Sequence, residues 1–330
     1  MNDTKQIGVG DRAKSVLRFL WMEYSALFAL ILLMVIASIL NPRFLTFRNL
    51  SNILRQVSVI GIVSTGMTVI IVSGGIDLSV GSVLALSGVA GMTMLNVSES
   101  VIVSVLTTVG TATLIGLING TLITKGRLAP FIATLGMMAA ARSLALFFVR
   151  GGNVVGEVEA YAGLSRGVFL GFRYPVYVFL GAAVVIGLIM GRTRFGRYVY
   201  ATGSNERATL LSAVNVTRVK LGVYALAGAL VGVAAVMESA TLNSISSANS
   251  GHMYELDAIA AVIIGGTKLE GGRGYVVGTV IGVVLMGVLN NVLNLMDVSP
   301  FLQGFVKGLI IIVAVLVDRK STRLNSSHYS

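Results

Sequence analysis

The sequence predicts an all-α polytopic membrane protein with about ten transmembrane segments. Hydrophobic residues make up 55% of the 330 residues and charged residues only 12%, and the mean hydropathy is +0.86. Soluble domains carry about 25% charged residues, so this chain has too few to cover a water-exposed surface. The 39 glycines fit spanning helices that pack closely through small residues. Because the chain has no cysteine, disulfides and thiolate metal sites are excluded, and no metal or other cofactor is expected.

Ten apolar stretches approach the length of about 20 residues that a spanning helix needs. They are residues 24–40, 57–72, 79–95, 101–123, 131–149, 174–190, 221–240, 258–266, 276–295 and 301–317. An amphipathic connector at 41–56 is expected to lie at an interface. We expect residues 1–317 to form a single transmembrane domain, with a polar cytoplasmic segment at 1–23. Residues 318–330 resemble a translated frame of a sequencing-library adapter, so we expect them to be an artefact without function.

Charge placement predicts the orientation of these spans. With the N terminus in the cytoplasm, ten crossings place the most basic loop, residues 191–220, inside, whereas the loops at 96–100, 241–257 and 296–300 lie outside without Lys or Arg. The arginines in the connector and in the loop at 150–173 would lie outside, against the rule that basic residues concentrate in cytoplasmic loops. The balance still favours both termini inside. The net charge of +11 then reflects cytoplasmic loops and not a nucleic-acid surface.

A polar break interrupts the apolar run between residues 57 and 95. It reads Ser73-Gly74-Gly75-Ile76-Asp77-Leu78-Ser79-Val80-Gly81-Ser82. Backbone groups cannot stay unpaired in hydrocarbon, so a broken helix survives only where protein or a water-filled cavity covers it. Gly74 and Gly75 permit the break, and Asp77 or Ser79 can cap the helix that restarts. Half-helices that meet near mid-membrane are typical of transport pathways; an ordinary short loop is the alternative.

A second break is predicted near residues 254–268. The apolar segment that follows Tyr254 and Glu255 is too short to span alone, and Gly265 and Gly266 end it. Asp257 is placed where it can cap this half-helix. A phosphate-loop interpretation of the nearby glycines fails because no GxxxxGK[ST] pattern occurs in the chain. The chain therefore shows no means of hydrolysing ATP, and no catalytic constellation predicts another enzyme activity.

Few polar side chains lie within the predicted spans. Arg142, Glu238 and Lys307 are the ionisable ones, and snorkelling to an interface favours structural roles for them. Asn290 and Asn291 either bond neighbouring helices or line a pathway. The candidate pathway residues are Gly74, Gly75, Asp77, Ser79, Gly81, Tyr254, Glu255, Asp257, Gly265, Gly266, Asn290 and Asn291.

A faint internal repeat indicates an inverted five-plus-five architecture. The pattern that runs from Gly116 through Asn119 to Pro130 recurs from Gly287 through Asn290 to Pro300. The predicted topology gives the two copies opposite orientations across the membrane. Such inverted repeats occur in several transporter folds.

The basic loop at 191–220 contains a predicted short helix. Ser204 or Asn205 can cap a helix that runs from Glu206 to about Val214. A short capped helix on the cytoplasmic face suits a groove of a partner protein. A basic connector without a partner is the alternative.

Three blocks resemble a known family in order and spacing. They are Gly75-Ile76-Asp77-Leu78-Ser79-Val80-Gly81-Ser82, the loop from Gly196-Arg197-Tyr198 to Ala208, and Tyr254-Glu255-Leu256-Asp257-Ala258-Ile259-Ala260-Ala261 with Gly265-Gly266-Thr267. On these residues the chain resembles the permease subunit of ribose-type ABC importers, over residues 23–317. The resemblance implies a multi-pass channel subunit in a bacterial plasma (inner) membrane, contacting lipid and usually paired with a second copy.

The resemblance also implies partners and a coupling site. A cytoplasmic ABC ATPase supplies energy, and a periplasmic or lipid-anchored sugar-binding protein delivers ribose or a related monosaccharide. Residues expected to couple to the ATPase are Gly196, Arg197, Ala201, Gly203, Asn205, Glu206 and Ala208. Ala213 stands where relatives usually carry glycine, and we expect a small effect because alanine suits a helix. An ion-coupled secondary transporter of a small polar solute is the alternative function.

Overall fold

The computed structural model describes residues 26–299, 302–306, 308, 309 and 312, and most of them are helical. The first helix, α1, covers Ala26–Leu40. The next six are α2 (Phe47–Val72), α3 (Val80–Ser98), α4 (Val101–Thr124), α5 (Pro130–Phe148), α6 (Glu159–Arg166) and α7 (Tyr174–Arg192). The last five within 26–299 are α8 (Arg194–Ser204), α9 (Glu206–Leu211), α10 (Val216–Leu242), α11 (Tyr254–Ile264) and α12 (Val276–Leu295).

Four short strands form two antiparallel ribbons. They are β1 (Asn153–Val155), β2 (Val168–Phe169), β3 (Phe172–Arg173) and β4 (Ser244–Ser246). Strand β1 pairs with β4, with Val154 opposite Ile245. Strand β2 pairs with β3, with Phe169 opposite Phe172. The ribbons lie at one end of the molecule, called here the strand end, and α8 and α9 lie at the other.

Seven described helices are long and apolar enough to cross a membrane. They are α2, α3, α4, α5, α7, α10 and α12. Helix α1 is apolar but shorter, and α11 has only 11 residues. The polytopic helical architecture is therefore confirmed, whereas the count of ten spans and the inverted repeat stay predictions. The predicted segments at 1–23 and 318–330 and most of that at 301–317, with Lys307, lie outside the described residues.

The predicted amphipathic connector and the predicted basic loop contain more helix than expected. The connector at 41–56 is largely the first part of α2, which begins after Thr46, whose hydroxyl accepts a hydrogen bond from the Asn49 N–H. The loop at 191–220 folds mostly into α8 and α9. Helix α8 has an apolar side that buries Val199 and Thr202, so packing against the spans stabilises a segment that charge alone marks as a loop.

Glycines bring α4 and α10 together in the core. A Cβ atom added to Gly228 would lie 2.5 Å from the Ala112 carbonyl oxygen, and one on Gly232 would lie 2.6 Å from the Val109 Cα. Lipid tails are as apolar as these helices, so close van der Waals contact and not burial from water drives such pairing. Helices α2 and α3 pack beside this pair, and most of their residues are buried.

The N terminus of α3 lies half-way along the spans. Val80 and Val83 border a small cavity together with Gly116 of α4 and Gly228 of α10. Gly228 stands at the middle of α10, and Gly116 stands about two-thirds of the way along α4. The break at 73–79 therefore carries the chain from the end of α2 to about mid-depth before α3 begins.

The segment between β4 and α11 is re-entrant. Ile245 packs on Gly88, where an added Cβ atom would lie 2.8 Å from the Ile245 Cγ1 atom. Gly251 packs on Gly81, and a Cβ atom added to Gly251 would lie 2.9 Å from the Gly81 Cα atom. Seven helical residues correspond to roughly 10 Å of rise, so the segment descends that far along α3. Helix α11 thus begins at mid-depth and continues toward the α8–α9 end. The predicted second break is present, with α11 at Tyr254–Ile264 instead of 258–266.

The contact between Gly81 and Gly251 gives a stability prediction. Gly251 has φ +67°, and a Cβ there would meet the Gly81 backbone. We expect Gly251→Ala to lower the free energy of unfolding by about 2–3 kcal/mol, because overpacking and left-handed strain add. Thermal unfolding in detergent measures the effect. Gly110→Ala is the matched control, since nothing lies within 4 Å of a Cβ there; equal melting temperatures for the two variants would contradict the prediction.

Candidate functional site

The polar side chains of the first break are covered by protein. Asp77 is 5% exposed and Ser79 is fully buried. The Ser79 N–H and hydroxyl donate to the Asp77 Oδ1 at 2.7 and 2.6 Å. An ordinary surface loop would leave these groups in water, so the burial supports a broken helix within the membrane.

The expected cap of α3 has a different form. Ser79 stands at the N-cap position but makes no side-chain cap bond to the helix; its hydroxyl donates to Asp77, and its oxygen accepts from another helix. Asn119 of α4 donates to the Ser79 oxygen at 2.9 Å. Its own carbonyl oxygen is buried without a partner in the described chain. Asp77, Ser79 and Asn119 all border the small cavity, which measures about 10 Å³ and is close to the minimum for one water molecule.

Neighbouring helices bind the backbone of the break. The Tyr224 hydroxyl donates to the Ile76 carbonyl at 3.1 Å, and the Leu78 N–H donates to the Thr134 hydroxyl at 3.1 Å. A Cβ on Gly75 would lie 2.7 Å from the Tyr224 oxygen, so only glycine leaves room for this bond. No sequence pattern predicts a role for Tyr224, Thr134 or Asn119 at this break. Their positions in apolar helices carry no local signal of these long-range partners.

The second break has a polar cluster of its own. Arg142 of α5 donates through Nη1 to the carbonyls of Ser247 and Ser250 at 2.8 and 3.0 Å. Glu238 of α10 is 8% exposed and faces Ser250 and Tyr254. Its Oε2 atom has no hydrogen-bond partner among the described residues. The preference for snorkelling is wrong for Arg142, because its guanidinium turns toward the re-entrant segment.

The first turn of α11 carries the predicted acidic residues. Helix α11 starts at Tyr254 after Met253, whose side chain makes no cap hydrogen bond. Asp257 lies within the first turn and not at the cap, where its charge still favours the positive end of the helix. A Cβ on Gly81 would lie 2.8 Å from the Glu255 Oε2 atom, so the two breaks meet at this carboxylate.

Glycines also join the two breaks to the α8–α9 end. The Gly272 N–H donates to the Val72 carbonyl at 2.9 Å. A Cβ on Gly271 would lie 2.9 Å from the Gly74 Cα, and one on Gly203 would lie 2.7 Å from the Gly272 nitrogen. We call Gly74, Gly203, Gly271 and Gly272 the glycine junction. At this point the end of α2, the end of α8 and the chain after α11 touch backbone to backbone.

Helix α8 is also fastened to the chain after α11 through a tyrosine. The Tyr200 hydroxyl donates to the Gly274 carbonyl at 2.7 Å. Burial, and to a lesser extent nearby Tyr275, raises the pKa of Tyr200 above its ordinary value. The phenol therefore stays protonated and keeps this bond at any physiological pH.

The predicted short helix is confirmed as α9, with an earlier end. Asn205 caps it by accepting from the Ala208 N–H at 2.9 Å. It ends at Leu211, before the predicted Val214, because Ala213 has φ +61°. The expectation that alanine suits this position is wrong, since a left-handed conformation favours glycine.

The other predicted coupling residues lie around this helix. Gly196 and Arg197 stand in the first turn of α8, and Ala201 in its second half. Glu206 begins α9 and binds Lys220 of α10 at 2.7 Å, which fastens α9 to a spanning helix. The structure therefore brings these residues together at one end of the molecule, where Gly196 is buried and Arg197, Ala201, Asn205, Glu206 and Ala208 are exposed.

The remaining predicted pathway residues, Gly265, Gly266, Asn290 and Asn291, lie outside the polar clusters of the two breaks. Gly265 packs on Gly278, where α11 and α12 meet, and Gly266 has φ +87° with open space around it. Asn291 exchanges two hydrogen bonds with Asn49 of α2, at 2.9 and 3.0 Å, and so ties two helices. Asn290 holds a buried carbonyl oxygen without a partner in the described chain. Among the described residues, no group of three or more His, Asp or Glu is arranged for a metal ion.

Comparisons with known proteins agree with this architecture. A family model described as a branched-chain amino acid transport system permease component matches residues 49–315. The ribose import permease RbsC of Bacillus subtilis strain 168 is 47% identical over 297 residues, covering 89% of this chain and 91% of the relative. RbsC of Escherichia coli K12 is 42% identical, covering 91% and 94%.

An arabinose protein is more distant. The L-arabinose transport system permease AraH of Escherichia coli K12 is 34% identical, covering 91% of both chains. No solved structure matches the chain. The family match spans most of the sequence, including both breaks and the α8–α9 segment. The chain therefore belongs to the permease family whose members are the membrane subunits of ABC importers.

Proposed function

We propose that the chain is the channel subunit of an ATP-driven importer for ribose or a related monosaccharide. A separate cytoplasmic ATPase and a periplasmic or lipid-anchored sugar-binding protein complete the importer, and a second copy of the chain pairs with this one. Two relatives named ribose import permeases, at 47% and 42% identity, support ribose as the first candidate substrate. The alternative of an ion-coupled secondary transporter is not favoured, because the family consists of ABC permease subunits.

The glycine junction carries the mechanistic part of this proposal. It puts the end of α8 in backbone contact with Gly74 of the first break and with Gly271 of the chain that follows α11. A movement imposed on α8 and α9 has no flexible side chains to absorb it there, so it displaces both breaks together. This arrangement supports alternating access, in which ATP-driven closure of the ATPase re-tilts the spans.

Surface chemistry supports the docking of an ATPase on α9. Leu211 is 88% exposed and Leu210 is 62% exposed, at the end of the molecule that also carries Arg192, Arg197 and Arg207. Exposed leucines on a basic, polar end surface suit a partner's apolar groove. The basic residues also place this end in the cytoplasm by the positive-inside rule. With ten spans, both termini of this bacterial inner-membrane protein then lie inside.

Reconstituted uptake tests the assignment as a whole. In proteoliposomes that contain the chain, the cognate ATPase, the loaded binding protein and ATP, we expect ribose uptake. Leaving out either partner or ATP should reduce uptake to the level of empty vesicles, because the chain carries no phosphate-loop motif. Uptake by this chain alone, collapsing with an ion gradient, would instead establish a secondary transporter. A panel of pentoses and hexoses in the same assay identifies the sugar.

Leu211 tests the docking surface. We expect Leu211→Asp to weaken association with the ATPase by about tenfold or more, since it places a charge in an apolar contact. Co-purification and the affinity of the detergent-solubilised subunits measure this. The matched control is Val168→Asp, which changes a 59% exposed apolar residue at the strand end. If the Leu211→Asp variant bound the ATPase with wild-type affinity, α9 would not be part of the interface.

Gly203 tests the transmission through the junction. A Cβ there would collide with the Val72 carbonyl and the Gly272 nitrogen. We expect Gly203→Ala to keep ATPase binding, because α9 is unchanged, yet to reduce ribose transport by about tenfold through a displaced break. Gly191→Ala is the control, since nothing lies within 4 Å of a Cβ at that position. Equal transport by both variants would show that the junction does not transmit the motion.

A further inference from the structure

The second break presents charged groups half-way across the membrane. Because Gly251 packs on Gly81, the residues around it lie at the level where α3 begins. Arg142, His252 and Glu255 gather there: His252 is exposed, and Arg142 and Glu255 are half-buried. Both glutamates, 238 and 255, lie within electrostatic range of the guanidinium.

This position is incompatible with contact to lipid tails. A charged side chain at the bilayer centre is costly, and such residues face a bundle interior or a water-filled cavity. The surface of α7 shows the contrast at the same depth. Val184, near the middle of that helix, is 61% exposed, and the neighbouring Val185 is 54% exposed. The face of Arg142 and His252 therefore borders an aqueous space, while the face of Val184 borders lipid.

The available groups match the chemistry of a polyhydroxylated ligand. Arg142 binds the re-entrant carbonyls through Nη1 alone within the described chain, which leaves Nε and Nη2 as donors. The Glu255 carboxylate accepts hydrogen bonds, and each nitrogen of the His252 imidazole either donates or accepts one. Each sugar hydroxyl both donates and accepts hydrogen bonds. A mixed set of donors and acceptors therefore suits a sugar better than a simple ion.

We propose that Arg142, His252 and Glu255 form a sugar-binding subsite at mid-membrane, on the face of the chain that borders the translocation pathway. The proposal rests on the proposed function and adds to it the pathway-facing surface and the groups that contact the sugar. Arg142 and His252 are new to the candidate pathway set. Glu238 lies behind them, buried against Ser250 and Tyr254.

Thiol labelling tests the subsite without depending on transport. The chain contains no cysteine, so a single introduced one is the only thiol of this subunit. The His252→Cys variant is assembled with its ATPase in proteoliposomes and treated with a charged, water-soluble methanethiosulfonate reagent. Two matched controls are Val168→Cys at the exposed strand end, with 59% exposure of the native residue, and Val184→Cys on α7, with 61%.

Labelling rates separate the outcomes. Because thiolates form in water and not in hydrocarbon, we expect the His252→Cys variant to react at least about tenfold faster than the Val184→Cys variant. Saturating ribose should slow that reaction, whereas the same concentration of sucrose should not. Ribose should leave the Val168→Cys rate unchanged. A His252→Cys variant that reacts no faster than Val184→Cys, or one that ribose does not protect, overturns the proposal.

Transport by a nearly isosteric variant tests the sugar contact itself. In the complete importer, Glu255→Gln should reduce the rate of ribose transport by about tenfold through loss of a charge-assisted hydrogen bond. The loss should be smaller for deoxyribose analogues that lack the bonded hydroxyl, while stimulation of ATP hydrolysis by the loaded binding protein persists. Equal losses for all sugars together with lost ATPase stimulation would assign Glu255 a structural role. Absence of ribose uptake by the wild-type importer would instead refute the proposed function, and the labelling result would stand separately.

Discussion

The pairing of backbone groups in a non-aqueous interior is the constraint on which this structure depends. Two segments leave regular helix within the span region, and each must bind its N–H and C=O groups without water. At the first break, Tyr224 and Thr134 bind the backbone of Ile76 and Leu78. At the second, one guanidinium, that of Arg142, binds carbonyls between residues 247 and 250. Hydrogen bonds from the surrounding helices thus fix the backbone conformation of both breaks.

Glycine makes that course possible at the points of closest approach. Gly81 and Gly251 allow the two breaks to touch, and the glycine junction allows the first break and the chain after α11 to touch α8. A methyl group at these positions would separate the segments and open their hydrogen bonds. The same absence of side chains makes the contacts stiff, because no rotamer change relieves a displacement. Close approach of the segments and stiffness of their contacts therefore arise from the same glycines.

The breaks and the capped helix α9 were predictable from sequence because their signals are local. Asp77 and Ser79 interrupt an apolar run, and Asn205 followed by Glu206 indicates a helix start. The partners were not predictable, because Asn119 lies 40 residues from Ser79 and Tyr224 lies 148 residues from Ile76. Helix α8 was missed because its charges resemble those of a loop, although burial of Val199 and Thr202 decides its conformation. Ala213 shows the same limit: helix propensity ranks alanine first, but tertiary context imposes a positive φ.

The hydrogen bonds across the breaks also determine how much free energy a rearrangement of these helices costs. Tyr224 to Ile76, Thr134 with Leu78, Asn119 to Ser79 and Arg142 to the re-entrant carbonyls hold separate helices together. At about 1 kcal/mol net for each, such bonds together favour the observed arrangement of the helices by several kcal/mol. An arrangement that separates α4, α5 or α10 from the breaks must provide other partners for the same groups, because backbone groups cannot stay unpaired in a non-aqueous interior.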